Sequence, residues 1–199
     1  MTYTLYEYAP TRSARVRWTL LELDQPFESI EGRRLIRSDE LKKVSPLGKL
    51  PALITDEGPL YESAAICTYL ADRHADKNFI PKPGTYQRGL HEQWTSFSLC
   101  EVEAHVWSST RNRLIYEEEN RVPAIMEQNA AETKKGLSVF EDRLGDSPYL
   151  LGDEFQVTDI IAAYAVNWAG MFGLTEGFDN VNAWLDRLRA RPHCTLSKG

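Results

Sequence analysis

At Leu50-Pro51 the chain meets a bond that decides what the surrounding sequence can become. Proline has no N–H to give to a sheet ladder, so it belongs at the first residue of a strand or at an edge, and X-Pro is the bond type that tolerates cis geometry. The apolar run Ala52-Leu53-Ile54 follows at once, then the turn Asp56-Glu57-Gly58, then Leu60-Tyr61, which together read as a β-hairpin. A kink at the proline leaves the Leu50 main-chain N–H and C=O facing outward, free to pair with an extended ligand. Glu62-Ser63, ahead of Ala64-Ala65-Ile66 and Tyr69-Leu70, marks a helix start whose free N–H groups and positive dipole end suit a carboxylate. The stretch Ser45 to Leu70 therefore predicts a ligand cradle.

The rest of the chain falls into two parts around this stretch. Tyr3 to Tyr8 is β-favouring, Ala9-Pro10-Thr11 breaks it, and Val16, Leu20 and Leu23 then recur at helical spacing. Asp24-Gln25-Pro26 ends that helix and Phe27 to Glu31 reads as a second strand, which makes a right-handed βαβ unit with parallel strands. A short helical turn over Asp39 to Val44, the hairpin and a helix to about His74 complete a β-α-β-α-β-β-α order over residues 1–76. Residues 77–85 carry two prolines and a glycine without a period and read as a linker. Residues 86–199 are helical throughout: Leu90, Trp94, Phe97, Val102 and Val106 share one face toward Asn112, and Ile125, Leu137, Phe140 and Leu144 follow Pro123. Two further helices span Val157 to Phe172 and Val181 to Ala190.

Three patterns carry a resemblance. Ser-Pro-x-Gly-Lys-Leu-Pro-x-Leu from Ser45 and Glu-Ser-x-Ala-Ile-x-x-Tyr-Leu from Glu62 resemble the glutathione-binding half of the cytosolic glutathione S-transferase superfamily, and Leu151-Gly152-Asp153-x-Phe155-x-x-x-Asp159 resembles the loop before the buried helix of its second half. The resemblance implies a thioredoxin-like α/β domain followed by an all-helical one, glutathione as co-substrate, no metal, and a homodimer. It implies that Leu50 pairs its backbone with the cysteinyl unit and that Pro51 holds the bend. Glu62 and Ser63 would take the γ-glutamyl amine and carboxylate, and Lys49 the glycyl carboxylate. Arg12 would face either the ligand or water. At the cap of the buried helix the family has Ser or Thr; this chain has Gln156, so either Asp159 caps alone or Thr158 shifts the cap.

The chemical task for such a protein is to hold a thiol, near pKa 8.5 when free, as thiolate at about pH 7. The donor belongs where the first strand meets the first helix, between Tyr6 and Ser13. Thr11, four residues before Arg15, has the spacing of serine-using members; Tyr6 matches tyrosine-using members, and Ser13 is also a helix N-cap candidate. Main-chain N–H groups are the remaining alternative. No cysteine stands between Met1 and Cys67, which argues against mixed-disulfide chemistry. An electrophile pocket is expected between the two halves, with Trp107 and Tyr116 touching substrate. The reading is a transferase acting on a small apolar electrophile. A non-catalytic binding or interaction module of the same fold, or a glutathione-dependent isomerase, dehalogenase or ether-cleaving enzyme, stands as its alternative.

Composition narrows the partners. A net charge of -6 without a basic stripe argues against nucleic acid and anionic membranes. No run approaches the roughly 18 apolar residues of a membrane span, and the first residues lack a signal-peptide pattern, so the cytoplasm is expected. Cys67, Cys100 and Cys194 and the four histidines are dispersed, which fits reduced thiols and no metal site.

Overall fold

The computed structural model describes residues 2–197. They form two compact units, one running to Pro81 and rejoined by Arg191–Ser197, the other Lys82–Ala190.

In the first unit, β1 (Tyr3–Glu7), β2 (Phe27–Glu31), β3 (Ala52–Ile54) and β4 (Pro59–Tyr61) form a mixed sheet in the order β2-β1-β3-β4. β1 and β2 are parallel, joined through α1 (Ser13–Glu22), whereas β3 lies antiparallel to both β1 and β4. Alternation along β1 puts Tyr3, Leu5 and Glu7 on a fully covered face, toward which α1 and α3 (Ser63–Arg73) pack. Val16, Trp18 and Leu20 of α1 and Ile66, Cys67 and Leu70 of α3 are buried there, each large side chain contributing about 1.5–3 kcal/mol. On the other face, Leu35, Leu41 of α2 (Asp39–Lys42), Leu50 and Ala52 form a smaller cluster against which Tyr6, Tyr8, Ile30 and Val44 pack.

The chain's last described residues return to this unit, although the sequence pattern places all of 86–199 with the helical half. Arg191 donates through Nε and Nη2 to Glu22 at 2.9 and 2.8 Å, Trp18 Nε1 donates to the same carboxylate at 2.8 Å, and Thr195 Oγ1 donates to the Ala14 carbonyl at 2.8 Å. Burial alone would raise the Glu22 pKa, but these donors outweigh it and hold the carboxyl below its ordinary value. Phe79 and Ile80, within the expected linker, are likewise buried, so the first unit extends to Pro81. None of these anchors has a local periodicity.

The second unit begins with α4 (Tyr86–Phe97), capped by Thr85, whose hydroxyl accepts from Arg88 N–H at 3.2 Å. The expected single helix toward Asn112 is interrupted by two wide π turns: Ser98–Glu103, then α5 (Ala104–Thr110), then Arg111–Ile115. Sequence periodicity hides such turns because the flanking apolar spacing survives them. Against the first wide turn packs α6 (Ile125–Gly145), where the position of a Gly136 Cβ would stand 2.7 Å from the Glu101 carbonyl oxygen and 3.0 Å from Val102 Cγ2. α7 (Val157–Gly170) is buried along most of its length, and α8 (Asp179–Arg189) closes the unit.

Asp159 settles the capping question. Its Oδ2 accepts from Gln156 N–H at 3.0 Å, while Oδ1 accepts from Leu150 N–H at 3.0 Å and Trp184 Nε1 at 3.1 Å. Asp159 thus supplies the N3 half of the cap at Gln156, and Thr158, whose Oγ1 bonds His91 Nδ1 at 2.8 Å, does not shift it. Burial pushes the Asp159 carboxyl up to about 6 against the opposing pull of its three donors.

Two stability tests follow from these contacts. Gly136→Ala should cost about 1–3 kcal/mol in denaturant unfolding, because the nearest atom is backbone and cannot swing away. For Asp159, a folded pKa above the unfolded 3.8 means that its contribution is full below about pH 4 and is lost as pH rises through about 6. Relative to Asp159→Asn, the protein should gain on the order of 2 kcal/mol between pH 7 and pH 4.5. The Glu22 contribution runs oppositely and fades only as pH falls below its ordinary range.

Candidate functional site

The corner where β1 hands over to α1 is built by one buried hydroxyl. Ser13, 1% exposed, donates through Oγ to the Tyr8 carbonyl at 3.1 Å and accepts from the Tyr8 N–H at 3.1 Å. The loop between them carries a cis Ala9-Pro10 bond. Thr11 Oγ1 lies 2.7 Å from Ser13 Oγ and also receives the Ser13 N–H at 3.3 Å. Ser13 is therefore committed to the fold, whereas Thr11 is partly exposed and reaches solvent. With the Ser13 proton on Tyr8, Thr11 must donate to Ser13; if Ser13 turned its proton to Thr11, the Thr11 O–H would be released to a ligand.

Tyr6 has a different environment from the one an activating phenol needs. It packs in the smaller apolar cluster, where burial first, and then the charge and hydrogen bonding of Glu40, raise its pKa above the ordinary tyrosine value. A phenol so held is a weaker acid. Behind the corner, a cleft of about 220 Å³ is lined by Glu7, Ala9, Ser13, Ala14, Arg17, Glu31 and Thr195, but Glu7 is already engaged by Arg17 and by Ser29.

From Ser45 to Ser63 the backbone has the bend and the helix start that the sequence predicts. The Leu50-Pro51 bond is cis, Pro51 is buried, and Leu50 precedes Ala52, the first paired residue of β3. Gly48, at φ 59°, closes against Arg37, where a Cβ would stand 2.7 Å from the Arg37 Cα; only glycine fits that turn. Ser45 Oγ donates to the Lys49 carbonyl at 2.8 Å, which fixes the Lys49 backbone and leaves its side chain exposed. Glu62 stands at the start of α3 with φ 72° and ψ 106°, a conformation that costs a non-glycine residue about 1–3 kcal/mol. Its carbonyl accepts the first helical bond from Ile66 N–H at 3.0 Å, and no side chain caps the helix, so the first N–H groups of α3 remain available to an anion.

Ser63 is buried, and Arg15 Nη1 donates to its Oγ at 3.2 Å. Arg15 is itself 1% exposed, a guanidinium carried inside the α1–α3 contact. Sequence reading used Arg15 only to mark a spacing; the missed signal is a charged residue on the face that Val16 and Trp18 bury. Arg12 is partly exposed at the N-cap of α1 and its side chain does not cap the helix. Cys67, fully buried in α3, has its thiol pushed up to about 11 by burial against the lowering effect of Thr19 and Arg15, which removes it as a nucleophile.

In the second unit, Trp107 and Tyr116 do come together, through a residue not singled out by the sequence. Arg111 lies over both rings, 5.6 Å from the Trp107 centroid and 5.7 Å from that of Tyr116. Trp107 also meets Trp168 at 5.9 Å between ring centroids. Among the described residues there is no cluster able to hold a metal ion and no helix long and apolar enough to cross a membrane.

The chain joins a thioredoxin-like unit, with a cis proline before β3 and no side-chain cap at the start of α3, to an all-helical unit. Residues 5–78 match the model of the glutathione S-transferase N-terminal domain and residues 123–187 that of the glutathione S-transferase C-terminal domain. Glutathione S-transferase F13 of Arabidopsis thaliana is 30% identical over 197 residues, covering 90% of this chain and 86% of the relative. Among solved structures, the glutathione transferase Ure2p6 of Phanerochaete chrysosporium in complex with oxidized glutathione superposes with a TM-score of 0.86 at 25% identity, over 96% of this chain and 92% of that one. A glutathione transferase of Burkholderia graminis, with two glutathione molecules bound per subunit, gives 0.84 at 28% identity, over 97% and 85%. The chain belongs to the cytosolic glutathione S-transferase superfamily.

Ser13 and Thr11 differ in what their loss should do. Ser13→Ala leaves the Tyr8 N–H and carbonyl unpaired and should cost about 1–3 kcal/mol in urea unfolding. Thr11→Val, at a partly exposed site, should cost clearly less in the same titration.

Proposed function

We propose that this protein is a glutathione transferase in which Thr11 activates the bound thiol. The observation that carries the reading is the joint between α1 and α3. Arg15 holds Ser63 at the uncapped start of α3, beside the strained Glu62, and this gives a carboxylate a hydroxyl and backbone N–H donors together. In this reading the γ-glutamyl carboxylate binds Ser63 and the α3 start, and Glu62 accepts from the γ-glutamyl amine. Leu50, presented by the cis Pro51, pairs with the cysteinyl backbone, and Lys49 and Arg12 supply positive charge toward the carboxylates.

The sulfur then lies at the corner that Ser13 fixes. Thr11 turns its proton from Ser13 Oγ to the sulfur, which favours thiolate over thiol, while Ser13 keeps its own on the Tyr8 carbonyl. The thiolate attacks the electrophilic carbon, a C–S bond forms, the leaving group departs with the electron pair of the broken bond, and the thiol proton goes to solvent. Trp107 and Tyr116 contact the electrophile in this reading, a homodimer is the working form, and the cytoplasm, where its cysteines stay reduced, is the compartment.

The test is the pKa of protein-bound glutathione, followed by thiolate absorbance. Thr11→Ala should raise it by about one to two pH units and lower turnover of an aryl halide at pH 7 accordingly, with Thr11→Ser restoring both. An unchanged thiol pKa in Thr11→Ala would assign activation to main-chain N–H groups of α1. Failure to bind glutathione at all would remove the reading, and binding without turnover would leave a non-catalytic module.

A further inference from the structure

The wide turn Arg111–Ile115 builds a feature that an ordinary helix would not. Trp107 and Arg111 are four apart and share a helical face. In an α-helix, at about 100° per residue, Tyr116 would lie about 140° around from Arg111. The π turn closes instead with Tyr116 N–H donating to the Arg111 carbonyl at 2.9 Å, five residues back, and so returns Tyr116 to the side of Arg111. The loop that follows is tied down. Asn112 Oδ1 accepts from Val122 N–H at 2.9 Å, and Arg121 Nε donates to the Tyr116 carbonyl at 2.8 Å.

The result is a guanidinium over two aromatic faces, and it lacks the counter-charge such a group ordinarily has. Arg111 Nε is buried without a hydrogen-bond partner. Among the described residues no acidic side chain pairs with Arg111; Glu117, Glu118 and Glu119, just beyond Tyr116, are exposed and make no ion pair with it. A second guanidinium, that of Arg113, lies 6.0 Å from the Phe172 ring centroid. Aromatic faces select planar groups, whereas a guanidinium with unused donors selects a carboxylate, sulfonate or similar anion.

We propose that Arg111 is the specificity-determining residue for the second substrate, and that this substrate is an aromatic electrophile bearing an anionic group. The proposal rests on the reading of Trp107 and Tyr116 as the electrophile-contacting residues. The aryl ring lies against Trp107 and Tyr116, and the anionic group takes the Arg111 guanidinium. A purely apolar electrophile would leave the guanidinium unpaired.

Binding and turnover separate the two layers of the argument. Dinitrobenzoate and dinitrobenzene differ by the carboxylate and cannot themselves be conjugated by halide loss; their binding to the full chain is read by quenching of tryptophan fluorescence. The protein should prefer the benzoate by about 10- to 100-fold. Arg111→Gln should bring the ratio close to one, and Arg111→Lys, which keeps the charge without the planar fork, should retain part of it. No preference in the parent protein, or one that Arg111→Gln leaves intact, overturns the proposal. Chlorodinitrobenzoate and chlorodinitrobenzene then report transfer: preference in binding without conjugation of either would sink the transferase reading while anion recognition by Arg111 stands.

Discussion

Ser13 sets the geometry on which the glutathione half depends. Its one hydroxyl gives to the last carbonyl before the loop and takes the N–H of the same residue, so the end of the first strand and the start of the first helix cannot move independently. Every other part of the site is referred to that corner. Arg15, one turn into the helix, carries its charge into the packed contact with α3 and finds Ser63. A buried guanidinium without hydrogen bonds would be expensive, so this contact restrains both helices. The same helix is fixed from its far side by the returning tail, through Glu22 and the Ala14 carbonyl.

The two units handle irregular backbone differently. In the first, two cis X-Pro bonds, a left-handed Gly48 and a left-handed Glu62 fall in loops that precede a strand or helix. In the second, irregularity is placed inside a long helical run as two wide turns. The first is accommodated by Gly136, which lets α6 come close to the Glu101 carbonyl, and the second re-aims Tyr116 onto Arg111. The nearly all-buried α7 tolerates none of this. It begins instead on Asp159, whose carboxylate gathers three N–H groups from separate segments and so ties the preceding loop and α8 to its start.

Much of this was legible in the residues. Strand alternation in Tyr3 to Glu7, the hairpin around Gly58 and the helical spacing of Ile125, Leu137 and Phe140 are local signals, repeated within one element. The bend at Pro51 and the helix start at Glu62-Ser63 were legible for the same reason: each is set by the backbone shape of its own segment. The choice among Thr11, Tyr6 and Ser13 was not, because three hydroxyls within eight residues look alike until their partners are known. Their partners differ: Ser13 is committed to Tyr8, Tyr6 stands beside Glu40, and Thr11, partly exposed, bonds Ser13 through its hydroxyl. Arg111 was invisible because its meaning depends on a helical turn one residue wider than the periodicity assumes.

The amino-acid sequence by itself determined the two-part architecture and the family, since these rest on periodicity, turn chemistry and short spacings that are fixed by neighbours along the chain. The tertiary structure decided how the hydroxyls at the corner are bonded, that Arg15 sits on Ser63, that Arg191–Ser197 rejoins the first unit and that Arg111 lies over two rings. Those are contacts between residues as far as 181 positions apart, or across an irregular turn, and the energy that selects them exists only once the core has packed.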